Sequence, residues 1–485
     1  MNARFRKEIR ELLPAFVITV LLVGLPFFFG ESLAEVLPFL ALALGAAALG
    51  GISFGAEFQR RTFPMLLSQP VSRVVLWREK MLVLGVCLAL VSAWATVLNG
   101  WIFRSKGADG AALFLIPLCA FSGAPLLTLL ARNGIAGGVF AIALPGLLIA
   151  GAVALAPHGW FVGNTAETLV VVILLLYCCA AYWLGNRVFK TAQAIDGGSG
   201  ELELPAGLER VFAQVRWRRS GGPVGPLAAL LKKELRLQWM VFLIAGVFVV
   251  VALAGALLWR VRPESREWAE WIIGADFMIY VSILPLLVGA VAFAEERGWG
   301  TSDWHLTLPP SAFKQWTAKL VTVLPVSLLL GVILPGALFF AGYGLIGERT
   351  TKMPEVEAYQ GWLIFLSQLL VMSVAAHAGS FSSGTLKAML VALGVLLAGV
   401  GVAMLVFAVT PVLVGQGVVF IQDPVHPSWR FAIRGLLLLL GLLLWFSFHN
   451  FRRCDAGLNN LAVQWGTVLG VLALLVALFR LRYFV

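Results

Sequence analysis

Residues 54–80 read FGAEFQRRTFPMLLSQPVSRVVLWREK, and residues 293–319 read FAEERGWGTSDWHLTLPPSAFKQWTAK. A shift of 239 positions brings eight residues into register: Phe54/Phe293, Glu57/Glu296, Thr62/Thr301, Leu67/Leu306, Pro70/Pro309, Ser72/Ser311, Trp77/Trp316 and Lys80/Lys319. Each stretch follows one long apolar segment and precedes another. Each therefore reads as a polar hinge joining two membrane helices, present twice.

The composition around the hinges sets the class. The chain has 485 residues, 60% hydrophobic and 13% charged, with a mean hydropathy of +0.91. Soluble domains carry about 25% charged residues, and a bilayer is crossed by about 20 apolar residues. Apolar segments fall at 12–29, 34–56, 81–103, 111–130, 135–156 and 168–186. A polar stretch follows, then segments at 239–259, 271–294, 317–346, 361–380, 386–414, 432–450 and 462–480. The expectation is an all-α polytopic membrane protein with about 12–13 transmembrane helices.

The net charge of +11 reflects the sidedness of Lys and Arg rather than nucleic-acid binding. With the N-terminus inside, 25 of the 36 basic residues fall on the inner side. This places the N-terminus and both hinges in the cytoplasm, in a multi-pass protein of the plasma membrane. The first apolar run lacks a small-x-small cleavage site and reads as a retained helix. Cys87, Cys119, Cys178, Cys179 and Cys454 have no metal-ligand spacing and read as small buried hydrophobes.

Both halves open alike. RFRKEIRELL (4–13) and LAALLKKELR (227–236) share Lys-Glu-apolar-Arg at 7–10 and 233–236. Phe5, Ile9, Leu12 and Leu13 form one stripe, and Leu227, Leu231 and Leu235 the other, as expected of interfacial amphipathic helices. Both halves also close alike, in YWLGNR (182–187) and FSFHNFR (446–452). The pattern predicts a tandem duplication of a six-helix unit: a first half at 1–190, a cytoplasmic linker at 191–226 containing GGSG and SGGP breaks, and a second half at 227–485 with one extra C-terminal helix.

Within the hinges, Glu57 and Glu296 end a membrane helix, with Arg60, Arg61, Arg73 and Arg297 as nearby cationic partners. Pro70-Val71-Ser72 and Pro309-Pro310-Ser311 have the chemistry of helix starts, with Ser72 and Ser311 as N-caps of the helices carrying Trp77/Lys80 and Trp316/Lys319. An ordinary basic loop would not repeat Glu, Thr, Pro and Ser at fixed spacing.

Glu296-Arg297-x-x-Gly300-Thr301, Leu308-Pro309-x-Ser311 and Lys319 together resemble the signature loop of type-two ATP-binding-cassette exporter permeases. The resemblance implies six-helix units with an interfacial leading helix. It implies that the loops at 57–80 and 296–319 couple the membrane part to ATPase subunits. It assigns that role to Glu57, Thr62, Pro70, Ser72, Arg73, Lys80, Glu296, Arg297, Gly300, Thr301, Pro309, Ser311 and Lys319. The first copy departs from the pattern, with Phe58 in place of Arg and Arg61 in place of Gly, so the two loops are expected to be unequal.

No Gly-x-x-x-x-Gly-Lys-Ser/Thr loop occurs in the chain. The chain reads as a non-catalytic membrane subunit without a cofactor of its own. The resemblance places ATP and Mg on separate ATPase subunits, in two copies, and leaves the substrate open.

The alternative is a secondary active transporter with two six-helix halves. Such proteins use ionisable residues inside the bilayer, and Asp276 and His377 are the candidates. His158, His305, His377, His426 and His449 are scattered, with no His-Glu-x-x-His or paired-Asp motif for a membrane enzyme. Ala43, Ala47, Gly51 and Gly55 form a small-residue stripe suited to close helix packing. Asn99, Gln368 and Ser373 are polar residues within or near spans.

Overall fold

A computed structural model describes residues 3–25, 37–60, 62–102, 108–155, 165–192, 226–261, 266–298, 300–301, 311–338, 358–413, 428–453 and 458–482. Among these residues the regular structure is entirely helical. Eleven helices are long and apolar enough to cross a membrane, so the chain is an all-α polytopic membrane protein. Each of the thirteen apolar segments lies in a helix over its described residues.

Contacts divide the chain into two units, Met1–Lys233 and Glu234–Val485. The division falls inside the amphipathic helix at Pro226–Leu237, and 193–225 of the expected linker lie outside the described residues.

The first unit holds α1 (Ala3–Gly24), α2 (Leu37–Gln59), the short α3 (Phe63–Leu67), α4 (Arg73–Ile102), α5 (Ala108–Ala131), α6 (Gly134–Leu155) and α7 (Thr165–Thr191). Helix α2 is central, packing on α1, α5 and α6, while α7 packs on α5 and α6. The small-residue stripe explains why. A Cβ on Gly51 would lie 2.5 Å from the carbonyl oxygen of Gly134, and one on Gly55 would lie 2.5 Å from the Cα of Gly134. Only glycine lets the backbones of α2 and α6 approach this closely.

At the boundary lies α8 (Pro226–Leu237). The second unit continues with α9 (Trp239–Val261), α10 (Arg266–Gly298), α11 (Ala312–Leu328), α12 (Ala358–Gly379), α13 (Thr385–Leu413), α14 (Ser428–Arg453) and α15 (Leu458–Arg482). A π-helical turn at Leu329–Ile333 carries α11 on to residue 338. Helix α10 packs on α9, α12 and α13, as α2 packs on α1, α5 and α6, and α12 packs on α14 as α5 does on α7. Gly289, 239 positions after Gly50, meets the carbonyl oxygen of Met372 on α12, where Gly50 meets that of Ala120 on α5. Helix α15 lies on α13 and α14. It is keyed there by a reciprocal amide pair, with Asn450 Nδ2 donating to Gln464 Oε1 at 3.0 Å and Gln464 Nε2 donating to Asn450 Oδ1 at 2.9 Å.

The two leading helices differ. In the first half the amphipathic stretch and the first membrane segment form one continuous helix, α1. In the second, Gln238 interrupts the run between α8 and α9. The faces also differ from the stripes read in the sequence. Leu12 is buried, but Ile9 and Leu13 are exposed, as are Leu231 and Leu235. The polar residue on the inner face of each helix is a glutamate, Glu8 or Glu234, both buried. A leucine stripe turned outward has an apolar medium to enter when a helix lies at a membrane surface.

Candidate functional site

Helices α1, α2 and α4 bring four first-unit charges together beneath the hinge. Lys80, on the second turn of α4, donates to both carboxylate oxygens of Glu8 at 2.8 Å and to the carbonyl oxygen of Ser53 at 3.0 Å. It lies 3.5 Å from Glu57. Its ammonium also sits 5.4 Å from the Phe54 ring centroid. Lys7 donates to the same Glu57 carboxylate at 2.7 Å, and the Thr62 hydroxyl donates to its other oxygen. Lys80 and Glu57 are 3% and 1% exposed, so these charges meet partners inside the protein rather than water.

The second unit builds the same cluster. Lys319 donates to both Glu234 oxygens at 3.1 and 3.0 Å and to the carbonyl oxygen of Ala292 at 2.8 Å. It pairs with Glu296 at 3.0 Å and sits 5.7 Å from the Phe293 ring centroid. Lys319, Glu234 and Glu296 are each 2% exposed. Ser53 and Ala292, Phe54 and Phe293, Glu57 and Glu296, and Lys80 and Lys319 are all 239 positions apart. Glu8 and Glu234 occupy matching places in the two Lys-Glu-apolar-Arg motifs.

Each lysine thus ties together three chain segments: the leading amphipathic helix, the C-terminal end of the helix before the hinge, and the first turns of the helix after it. Burial pushes the Glu8 carboxyl above its ordinary value, against the pull of Lys80. Burial also pushes the Lys7 ammonium down, but its bond to Glu57 and the surrounding carboxylates outweigh this and hold it above the ordinary lysine value. The carboxylates of Glu8, Glu11 and Glu57 lie close enough to hold a metal ion. They already face Lys80, Arg60 and Lys7, so this acidic group is neutralised from within the protein.

The hinge backbone is built on matching turns. The Thr301 amide donates to the Glu296 carbonyl at 3.0 Å and the Gly300 amide to that of Arg297 at 3.0 Å, with Gly300 at φ +69°. This is the glycine-closed Schellman end of a helix. In the first hinge the corresponding long bond, Thr62 amide to Glu57 carbonyl, is 2.9 Å. Ser311 caps α11 by accepting from the Lys314 amide at 3.4 Å. Ser72 precedes α4, and its carbonyl accepts from the Val75 and Leu76 amides at 3.0 and 3.2 Å. Pro70 and Ser72 are exposed. Arg61 and Pro309 lie outside the described residues.

Arg60 and Arg73, the described arginines of the first hinge expected as partners of Glu57, pair elsewhere. Arg60 pairs with Glu11, and Arg73 donates to the carbonyls of Lys190 and Ala192 at 2.5 and 2.8 Å, pinning the start of α4 to the end of α7. Lys7 and Lys80 reach Glu57 instead, at 2.7 and 3.5 Å. Sequence reasoning missed Glu8 and Glu234 as members of the site, although their shared motif was visible. Aromatic packing also repeats: Trp77 meets Tyr182 edge-on at 6.0 Å, and Trp316 meets Phe448 edge-on at 5.4 Å.

No known protein family, curated protein or solved structure matches this chain.

Proposed function

We propose that this chain is the membrane subunit of an ATP-driven exporter in the plasma membrane, a tandem duplication of a six-helix permease unit with its N-terminus in the cytoplasm. ATP hydrolysis belongs to separate subunits, two copies of an ATP-binding-cassette ATPase, which dock on the hinges at 57–80 and 296–319. The observation that carries this reading is the pair of lysine-centred clusters. A push on either hinge reaches three helical segments at once, because Lys80 or Lys319 joins them through buried ion pairs that do not slide independently. A loop built only to cross between helices has no need of such a junction.

Met65 is the natural contact. It lies on the short helix α3 at the tip of the first hinge and is 69% exposed, while its neighbours Phe63 and Leu66 are buried. Met65→Asp leaves the cluster untouched. Co-expression with the ATPase candidate from the same operon should yield a complex that co-purifies with the intact chain and is lost, by about tenfold or more, with Met65→Asp. The reading fails if no ATPase co-purifies with the intact protein, or if the ATPase turns over equally fast with and without this chain.

A second reading, a secondary transporter driven by an ion gradient, is favoured by one observation, the ionisable Asp276 within a span. Transport that follows a proton gradient and ignores ATP would select it.

A further inference from the structure

The second unit holds a group of polar atoms that neither the hinge clusters nor the helix packing uses. Asp276 lies on α10, 20 positions before Glu296, about 30 Å along the axis at ~1.5 Å per residue. If Glu296 marks one membrane boundary, Asp276 lies near the other. Its Oδ2 is buried and has no hydrogen-bond partner. Gln368 on α12 is 8% exposed. Its Nε2 donates to the carbonyl of Val281 at 3.3 Å, but its Oε1 is buried and unpartnered.

Tyr280, one turn along α10 from Asp276, donates its hydroxyl to the carbonyl of Leu330 at 2.8 Å. That carbonyl belongs to the π-helical turn of α11. Such turns free backbone groups from the regular ladder and recur at functional sites. The Tyr280 ring stacks on Phe248 of α9, centroids 3.9 Å apart and 7° from parallel. The corresponding positions of the first unit, 239 earlier, are Leu37 and Ala41, so this polarity belongs to the second unit alone.

Both unpartnered atoms are acceptors, so the missing partner is a donor, and the carboxylate selects a positive one. A bare metal ion does not suit them. Gln368 is anchored at Val281, five positions past Asp276, about 7.5 Å along the axis. The Asp276 side chain leans the other way, toward the helix N-terminus. Metal–oxygen bonds of about 2.0–2.6 Å do not span both oxygens, whereas an extended organic amine does. Aromatic rings beside a carboxylate inside a bilayer favour an organic cation.

We propose that Asp276, Tyr280 and Gln368 mark a binding site, entered from the membrane, for a lipophilic ammonium ion. Asp276 takes the charged nitrogen, Tyr280 and Phe248 supply the ring wall, and Gln368 Oε1 accepts from a second N–H or O–H of the ligand. The inference names a cargo class for the permease reading, but as a binding site it stands without any ATPase.

The test uses the full-length chain, purified without ATPase in zwitterionic lipid nanodiscs, with the cationic dye rhodamine 6G read by fluorescence anisotropy. Saturable binding is expected. Asp276→Asn should weaken it by roughly tenfold or more and Gln368→Leu several-fold, while Asp276→Glu retains it. The proposal is overturned if binding does not saturate, if Asp276→Asn leaves it unchanged, or if an uncharged dye of similar size binds as tightly.

Discussion

Lys319 is the residue whose loss is most informative. It is enclosed with two carboxylates and one backbone carbonyl. Lys319→Met keeps the length of the side chain but removes the ammonium that the buried Glu234 and Glu296 carboxylates both face. Breaking one side of a buried pair costs about 3–5 kcal/mol, so the variant should unfold at lower temperature and accumulate poorly. Adding Glu234→Gln should recover part of that loss, since it removes one of the two buried negative charges that Lys319 balances. Thermal unfolding of the three proteins in the same detergent checks this, and the absence of any recovery in the double variant counts against the cluster. Lys80→Met should behave similarly.

Among elements, the contact of α2 with α6 makes the sharpest demand on size. Gly51 and Gly55 face Gly134 where a Cβ would overlap backbone atoms, not the tip of a flexible side chain. Gly55→Val should therefore force the helices apart, at about 1–3 kcal/mol or more. Gly246, whose Cβ would meet nothing within 4 Å, should accept Val at little cost. Comparing the melting temperatures of the two variants separates a packing stripe from a general intolerance of bulk. Helix α15 shows the opposite device, a polar key: Asn450 and Gln464 satisfy each other across a buried contact, and amide pairs of this kind hold helices together in apolar surroundings.

At the scale of the molecule, sidedness follows from charge. From the basic residues that crowd the N-terminus and the first hinge, we propose that both lie on the cytoplasmic face. In a chain with its five cysteines replaced, a single cysteine at position 65 should react with a membrane-impermeant maleimide only when the cytoplasmic face is open to it. Labelling from the outside of intact cells would reverse the orientation and remove the docking proposal with it.

Two classes of information met in this protein. Apolar run length and the spacing of small residues are local properties, and the described residues of each of the thirteen apolar segments lie in a helix because a backbone in an apolar medium must satisfy its own hydrogen bonds. The recurrence of Glu57, Thr62, Ser72 and Lys80 at 296, 301, 311 and 319 was legible for the same reason. The partners of those residues were not. Glu8 reaches Lys80 across 72 positions and Glu234 reaches Lys319 across 85, far beyond the three- or four-residue spacing that helical periodicity reports. Asp276 and Gln368 likewise stood in the sequence as isolated polar residues, and only the packing of α10 on α12 brought Gln368 to the Val281 carbonyl, five positions past Asp276. Composition and period determined that the chain is a twice-patterned bundle of membrane helices. Tertiary structure decided which charges meet inside it, because burial makes a charge choose the nearest partner in space rather than the nearest in sequence.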